Sequence, residues 1–190
     1  MKKIFSVFLF LSFALSYGFG QNMNVFNSVP LINGKVIFQQ FIPIDEKLNK
    51  DQQYAILYKW CKDNYASDPM LSGIRFNDKS QSVNVSSKAE LPLPKNKDGF
   101  RDKIILNYRF DAAITDMGCM LTIRDITYQS VQVPKGSSFP QAYTAEEMIT
   151  DAGIHTGKAV EKELKNGTKK STLVFFNTLY DNLQEAFKLK

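Results

Sequence analysis

Residues 103 to 130, KIILNYRFDAAITDMGCMLTIRDITYQS, alternate apolar and polar side chains on both sides of a turn. Ile104, Leu106, Tyr108 and Phe110 fall on one face, and Ile105, Asn107 and Arg109 on the other. Beyond the turn at Asp116 to Gly118, Cys119, Leu121 and Ile123 oppose Met120, Thr122 and Arg124. A period of two sustained this far predicts a long hairpin at the heart of an antiparallel sheet, one face packed and the other wet. The order Asp125, Ile126, Thr127, Tyr128 breaks the alternation and predicts a bulge or a change of face. The same period appears in GIRFND, where Ile74 and Phe76 oppose Arg75 and Asn77, and in QSVNVSS, where Val83 and Val85 oppose Ser82, Asn84 and Ser86. These read as two short strands joined by the Asp78 to Ser80 turn. Upstream, KVIFQQFIPI (35 to 44) follows the turn pair Asn33-Gly34 and reads as the first strand.

Two stretches carry the helical period instead. NKDQQYAILYKWCKDNY opens with Asn49 and has Gln52 three residues on, a capping box that satisfies two orphan amides of the first turn. Tyr54, Leu57, Tyr58, Cys61 and Tyr65 then recur on one stripe, with Trp60 beside them. STLVFFNTLYDNLQEAFKL repeats the pattern with Leu173, Phe176, Tyr180, Leu183 and Phe187. Thr144 and Glu147 form a second capping box, predicting a short helix over AEEMITD. LPLPKNKDG reads as a connecting loop, VPKGSSFPQAY as an irregular crossing, and the Gly-, Lys- and Thr-rich residues 153 to 170 as a mobile segment. The order is therefore β-α-β-β-β-β, a linker with a short helix, then α. Neither a one-sided helix nor a one-sided sheet can bury itself, so the predicted fold is two-layer α+β, with both long helices on the apolar face of a curved antiparallel sheet.

The first twenty residues, MKKIFSVFLFLSFALSYGFG, place two lysines before an apolar run that ends in small residues, as an export signal requires. Serines at 6, 12 and 16 and the glycines interrupt the run, which argues against a permanent span. The expectation is cleavage near Gly20, a polar lead-in over 21 to 34, and a single domain over 35 to 190 in a periplasmic or secreted protein, with no later segment apolar enough to cross a membrane. Lys2 and Lys3 carry two of the formal +5 charges, so the scattered remainder makes a weak field and says little about partners. Cys61 and Cys119 make one disulfide arithmetically possible. Placed on a helix and on a strand in the layer below, they sit too far apart for the bond geometry, and two buried thiols are expected.

The stretches MGCMLTIRDITYQ and AEEMITD, the C-terminal amphipathic helix, and the first helix with its Trp60 together resemble a bacterial secreted family, domain of unknown function 4468. The resemblance spans roughly residues 35 to 188 and implies a TBP-like fold, the architecture that the periodicity predicts. It implies no activity and no site residues.

Candidate chemistry is sparse. The single histidine, His155, has no converging ligands for zinc and no nucleophile to serve as a base. GIHTGKA has a superficial phosphate-loop look but has three residues between Gly153 and Gly157, and Ala159 where a metal-binding hydroxyl belongs. Glu146 and Glu147 are adjacent in a first helical turn, which the helix dipole explains, and Asp45 and Glu46 read as a solvated turn. No pattern calls for a cofactor. The remaining candidate is the wet face of the sheet, to which the alternation sends Arg75, Asn84, Asn107, Arg109 and Arg124, with Ser82, Ser86 and Thr122 between them. Guanidinium forks suit carboxylate, sulfate or phosphate groups, so the expected partner is an envelope protein or a polyanionic ligand. Nucleic acid is not expected, since this face lacks the apolar wedges of minor-groove binders. Two other readings remain open: a carboxylate-dependent hydrolase, and a carrier of an apolar ligand between helices and sheet.

Overall fold

The computed structural model describes residues 24–95, 99, 101–131, 140–156 and 158–188. The expected export signal, and most of the crossing between residues 131 and 143, lie outside them.

In chain order the elements are β1 (Leu31–Ile32), β2 (Lys35–Val36), β3 (Phe38–Pro43), α1 (Lys50–Tyr65), β4 (Leu71–Asn77), β5 (Ser82–Pro92), β6 (Lys103–Ile114), β7 (Gly118–Ser130), β8 (Ala142–Thr144), α2 (Ala145–Met148), α3 (Asp151–His155) and α4 (Ala159–Phe187). β1 and β2 form a small separate ribbon, so the single strand predicted at 35 to 44 is in fact divided at Ile37. The main antiparallel sheet has the order β3-β7-β6-β5-β4, and β8 pairs with the second half of the β7 edge whose first half pairs with β3. The hairpin β6–β7 is its centre.

Both capping boxes form. Asn49 accepts from the Gln52 amide and Gln52 returns the bond to the Asn49 amide, while Thr144 and Glu147 do the same at α2. Gly118 makes the tight entry to β7 at φ +150°, where a Cβ would lie 2.3 Å from the Ile42 carbonyl oxygen.

The alternation sorts as the sequence predicts. Ile104, Leu106, Tyr108, Phe110, Val83, Val85, Leu121 and Ile123 are buried beneath α1 and α4. Phe110 meets Trp60 at 5.7 Å and Tyr65 at 6.1 Å between ring centroids, and Phe176 of α4 meets Phe38 at 4.9 Å and Tyr108 at 5.9 Å. Burying each such side chain stabilises by about 1.5–3 kcal/mol, which is what fixes the helices to this face. Cys61 on α1 and Cys119 on β7 are both buried and free. Burial pushes each thiol up to about 12.

Residues 153 to 170 carry more helix than the sequence pattern predicts. Where the sequence offers no helical period, the described residues there are helical: α3 covers the start of the stretch, and α4 begins at Ala159, well before the apolar stripe that opens at Leu173. Gly and Thr have weak helix propensity, but tertiary contacts override it here. Thr168 and Thr172 are fully buried and return their hydroxyls to the Leu164 and Thr168 carbonyls. Thr172 also meets the Tyr128 hydroxyl at 2.8 Å, and Ser171 donates to the Pro92 carbonyl at 2.8 Å. A Cβ at Gly167 would stand 3.2 Å from Pro94, so glycine lets the helix approach that loop. The lead-in is likewise tied down, with Asn177 of α4 accepting from the Phe26 amide and donating to its carbonyl.

Candidate functional site

Among the described residues, no helix covers the second face of the sheet. Cross-strand register arranges it in rows: Arg75–Asn84–Asp111–Thr122–Gln39 runs across all five strands, and the next row is Gly73–Ser86–Arg109–Arg124. Arg109 and Arg124 are therefore direct cross-strand partners, a like-charge pairing that needs compensation. Asp111 supplies it from the adjacent row. Its Oδ1 accepts from Arg109 Nε at 3.2 Å and from Asn84 Nδ2 at 2.5 Å, and its Oδ2 accepts from Arg124 Nε at 2.6 Å. Arg124 Nη1 donates further to Asp125 Oδ2 at 2.9 Å. The hydrogen bond to Asp111 raises the Arg124 pKa, against a smaller opposing effect of desolvation.

The bulge predicted from Asp125 is present. Two β7 residues oppose Tyr108 between the Asn107–Thr127 and Arg109–Arg124 pairs, and Asp125 sits at φ +53°, left-handed for a residue with a side chain. The kink brings its carboxylate back alongside Arg124. It also divides the β7 edge into the part that β3 pairs and the part that β8 pairs.

Of the five residues predicted for this face, the structure gathers three, Asn84, Arg109 and Arg124, around a fourth side chain that the sequence reading had passed over. Asp111 lies two residues after Arg109, and the period of two already places it on the same face. Arg75 opposes Asn84 on the edge strand and has no ion pair among the described residues. Asn107 opposes Thr127 a row beyond the arginines. At 39% and 36% side-chain exposure Arg109 and Arg124 are open to solvent, and Asp111, at 21%, sits between them.

The carboxylates that border the cleft beside β8, α2 and α4 are already engaged. That cleft, about 610 Å³, is bordered by Tyr143, Glu146, Glu147, Glu161 and Lys165 among others. Glu146 accepts the Val36 amide at 2.9 Å, Glu161 the Lys158 amide at 2.9 Å, and Glu147 the Thr144 amide at 3.0 Å. The Thr144 bonds lower the Glu147 pKa, the opposite of what a general acid near neutrality needs. His155 closes α3, and the described residues contain no group of three or more His, Cys, Asp or Glu that could hold a metal ion. No described helix is long and apolar enough to cross a membrane.

Residues 38–129 match the family described as "Domain of unknown function (DUF4468) with TBP-like fold". A TBP-like protein from Parabacteroides distasonis superposes with TM-score 0.65 at 25% identity, over 84% of this chain and 96% of its own. A DUF4468 family protein from Bacteroides ovatus superposes with TM-score 0.66 at 18% identity, over 86% of this chain and 92% of its own. No curated protein matches.

Proposed function

From a chain whose residues 38–129 belong to the DUF4468 family, with its TBP-like fold, we propose an exported, non-catalytic recognition domain that binds an anionic group of an envelope component through its open sheet face. The observation that carries this reading is the sharing of one carboxylate. Asp111 takes the Nε of both Arg109 and Arg124. Both terminal nitrogens of Arg109 and one of Arg124 are left without a protein partner among the described residues. Held by their Nε atoms on opposed positions of neighbouring strands, the two part-exposed guanidiniums keep donors that can serve the oxygens of a carboxylate, sulfate or phosphate. Asp111 is then a positioning residue. It offsets the repulsion of two opposed arginines while the ligand is away, and it lowers the ordering cost when the ligand arrives. The bulge at Asp125 serves the same end by fixing one flank of Arg124.

The test is co-sedimentation of the mature protein with an isolated envelope fraction of a producing bacterium. The doubly substituted Arg109→Ala/Arg124→Ala protein should lose retention while its thermal midpoint stays within a few degrees of the parent's. Equal retention of the two proteins overturns the reading, and so does a large drop in midpoint, which would make the arginines structural.

A further inference from the structure

β4 is the terminal strand of the main sheet, and no described residue pairs with its outer edge. Which of its backbone groups face outward follows from β5. The Lys88 amide donates toward β4, to the Met70 carbonyl at 3.1 Å. The Leu93 amide donates to Asp102 at 2.9 Å, and the Gln81 carbonyl accepts from Ile114 at 3.0 Å, both on the β6 side. Even-numbered β5 residues thus address β4, and the ladder bonds run through the pairs Gly73–Ser86, Arg75–Asn84 and Asn77–Ser82. The amides and carbonyls of Ile74 and Phe76 therefore point away from the sheet, two donors and two acceptors within three residues.

The usual protections of such an edge are few. The strand has no proline and one charge, and its irregularity lies at the Leu71/Gly73 end only. On the helix side Ile74 and Phe76 are half-buried, and Phe76 stacks at 4.3 Å on Tyr58, which in turn meets Tyr54 at 6.3 Å. A hydrogen bond of 2.8 Å from Tyr54 to Asp78 fixes that shelf against the end of β4. On the open side stands Arg75, exposed and without an ion pair among the described residues.

We propose that the β4 edge accepts an extended segment of a partner protein as an added strand, with an acidic residue opposite Arg75 and an apolar residue on either side of it. The backbone groups of Ile74 and Phe76 supply the ladder. The flanking apolar side chains cover the Ile74, Phe76 and Tyr58 shelf, and the acid pairs with the unmatched guanidinium. Charge also disfavours a second copy of this chain in that role. The antiparallel self-pairing that uses all four outward groups is centred on residue 75 and sets Arg75 directly against Arg75.

The experiment uses two synthetic pentapeptides with Val-Glu-Val and Val-Lys-Val cores, titrated against the mature protein and its Arg75→Glu variant. The Val-Glu-Val peptide should shift the amide resonances of Ile74 and Phe76 and slow their hydrogen exchange. Arg75→Glu should weaken it about tenfold, as one exposed pair is replaced by a repulsion, and should make the Val-Lys-Val peptide the better ligand. Arg109→Ala should leave both titrations unchanged, which separates this edge from the Asp111 cluster. The proposal is overturned by absence of binding at millimolar peptide, by equal affinities of the two peptides, by shifts confined to the surroundings of Arg109 and Arg124, or by a dimer that forms through β4.

Discussion

The covered and open faces of the sheet are written by one alternation along the same strands, yet they are held by different physics. Beneath the helices, Phe110 is fully buried and surrounded by Trp60, Tyr65 and their neighbours, so its position follows from close packing in many directions. On the open side, Arg109, Arg124 and Asn84 are positioned by one half-exposed carboxylate. Packing distributes stability over every side chain in the layer, whereas the polar face concentrates its geometry in Asp111. The covered face should therefore govern whether the protein folds, and the open face what it presents once folded.

The sharpest way to break that division is Phe110→Ala. A fully buried phenylalanine cut to alanine should cost about 3–5 kcal/mol, measured by urea denaturation. A loss under about 1 kcal/mol would mean that the layer is loosely packed and that the contrast between the faces is false.

The two thiols extend the same contrast to pH. Cys61 and Cys119 belong to the covered side, and desolvation raises both to about 12, with Cys119 adding to the effect on Cys61. In the unfolded chain these groups ionise near the ordinary thiol value of 9.0. Above that pH the folded protein binds more protons than the unfolded one, so stability is fully present below pH 9 and falls as pH rises toward 12. Chemical denaturation across this range should show the decline, and Cys119→Ala should flatten part of it. At pH 8 the native thiols should react with a soluble disulfide reagent far more slowly than the urea-unfolded chain. Prompt reaction of both in the native protein would show that the helix layer opens readily.

How much of each face was legible follows from this difference. Period two, period 3.6 and the capping boxes are local signals, and they located α1, the hairpin, the bulge at Asp125 and the separation of Val83, Val85 and Leu106 from Arg109 and Arg124. Two features were missed because their causes are not local. The turns of α4 before Ser171 are helical despite Gly167 and Thr168; Gly167 fits against Pro94, Lys169 pairs with Asp151, and the helix continues into a stretch that Tyr128 and the Pro92 carbonyl hold, contacts that no short window along the chain contains. The arginines were legible as a set of cations on one face. Their arrangement was not, because it depends on the register that sets Asp111 opposite Asn84 on one neighbouring strand and diagonal to Arg124 on the other. The period of two held the clue: any residue at an odd position between Ile105 and Ala113 shares that face, and Asp111 is the one acid among them.

The smallest expected effect probes Asp111 itself. Asp111→Ala removes the acceptor of three donors and leaves Arg109 opposite Arg124 with only Asp125, on the far flank of Arg124, to offset them, but the side chains touch solvent, so the loss should be about 1–2 kcal/mol rather than the cost of a buried ion. Adding Arg124→Ala to Asp111→Ala should restore part of that loss, because it removes the repulsion that the first change exposed. The signature is non-additivity in a double-mutant cycle of at least about 0.5 kcal/mol. Strictly additive losses would mean that Asp111 and Arg124 act independently. In that case the open face would be an ordinary solvated surface with no internal organisation, and the difference between the two faces would reduce to burial alone.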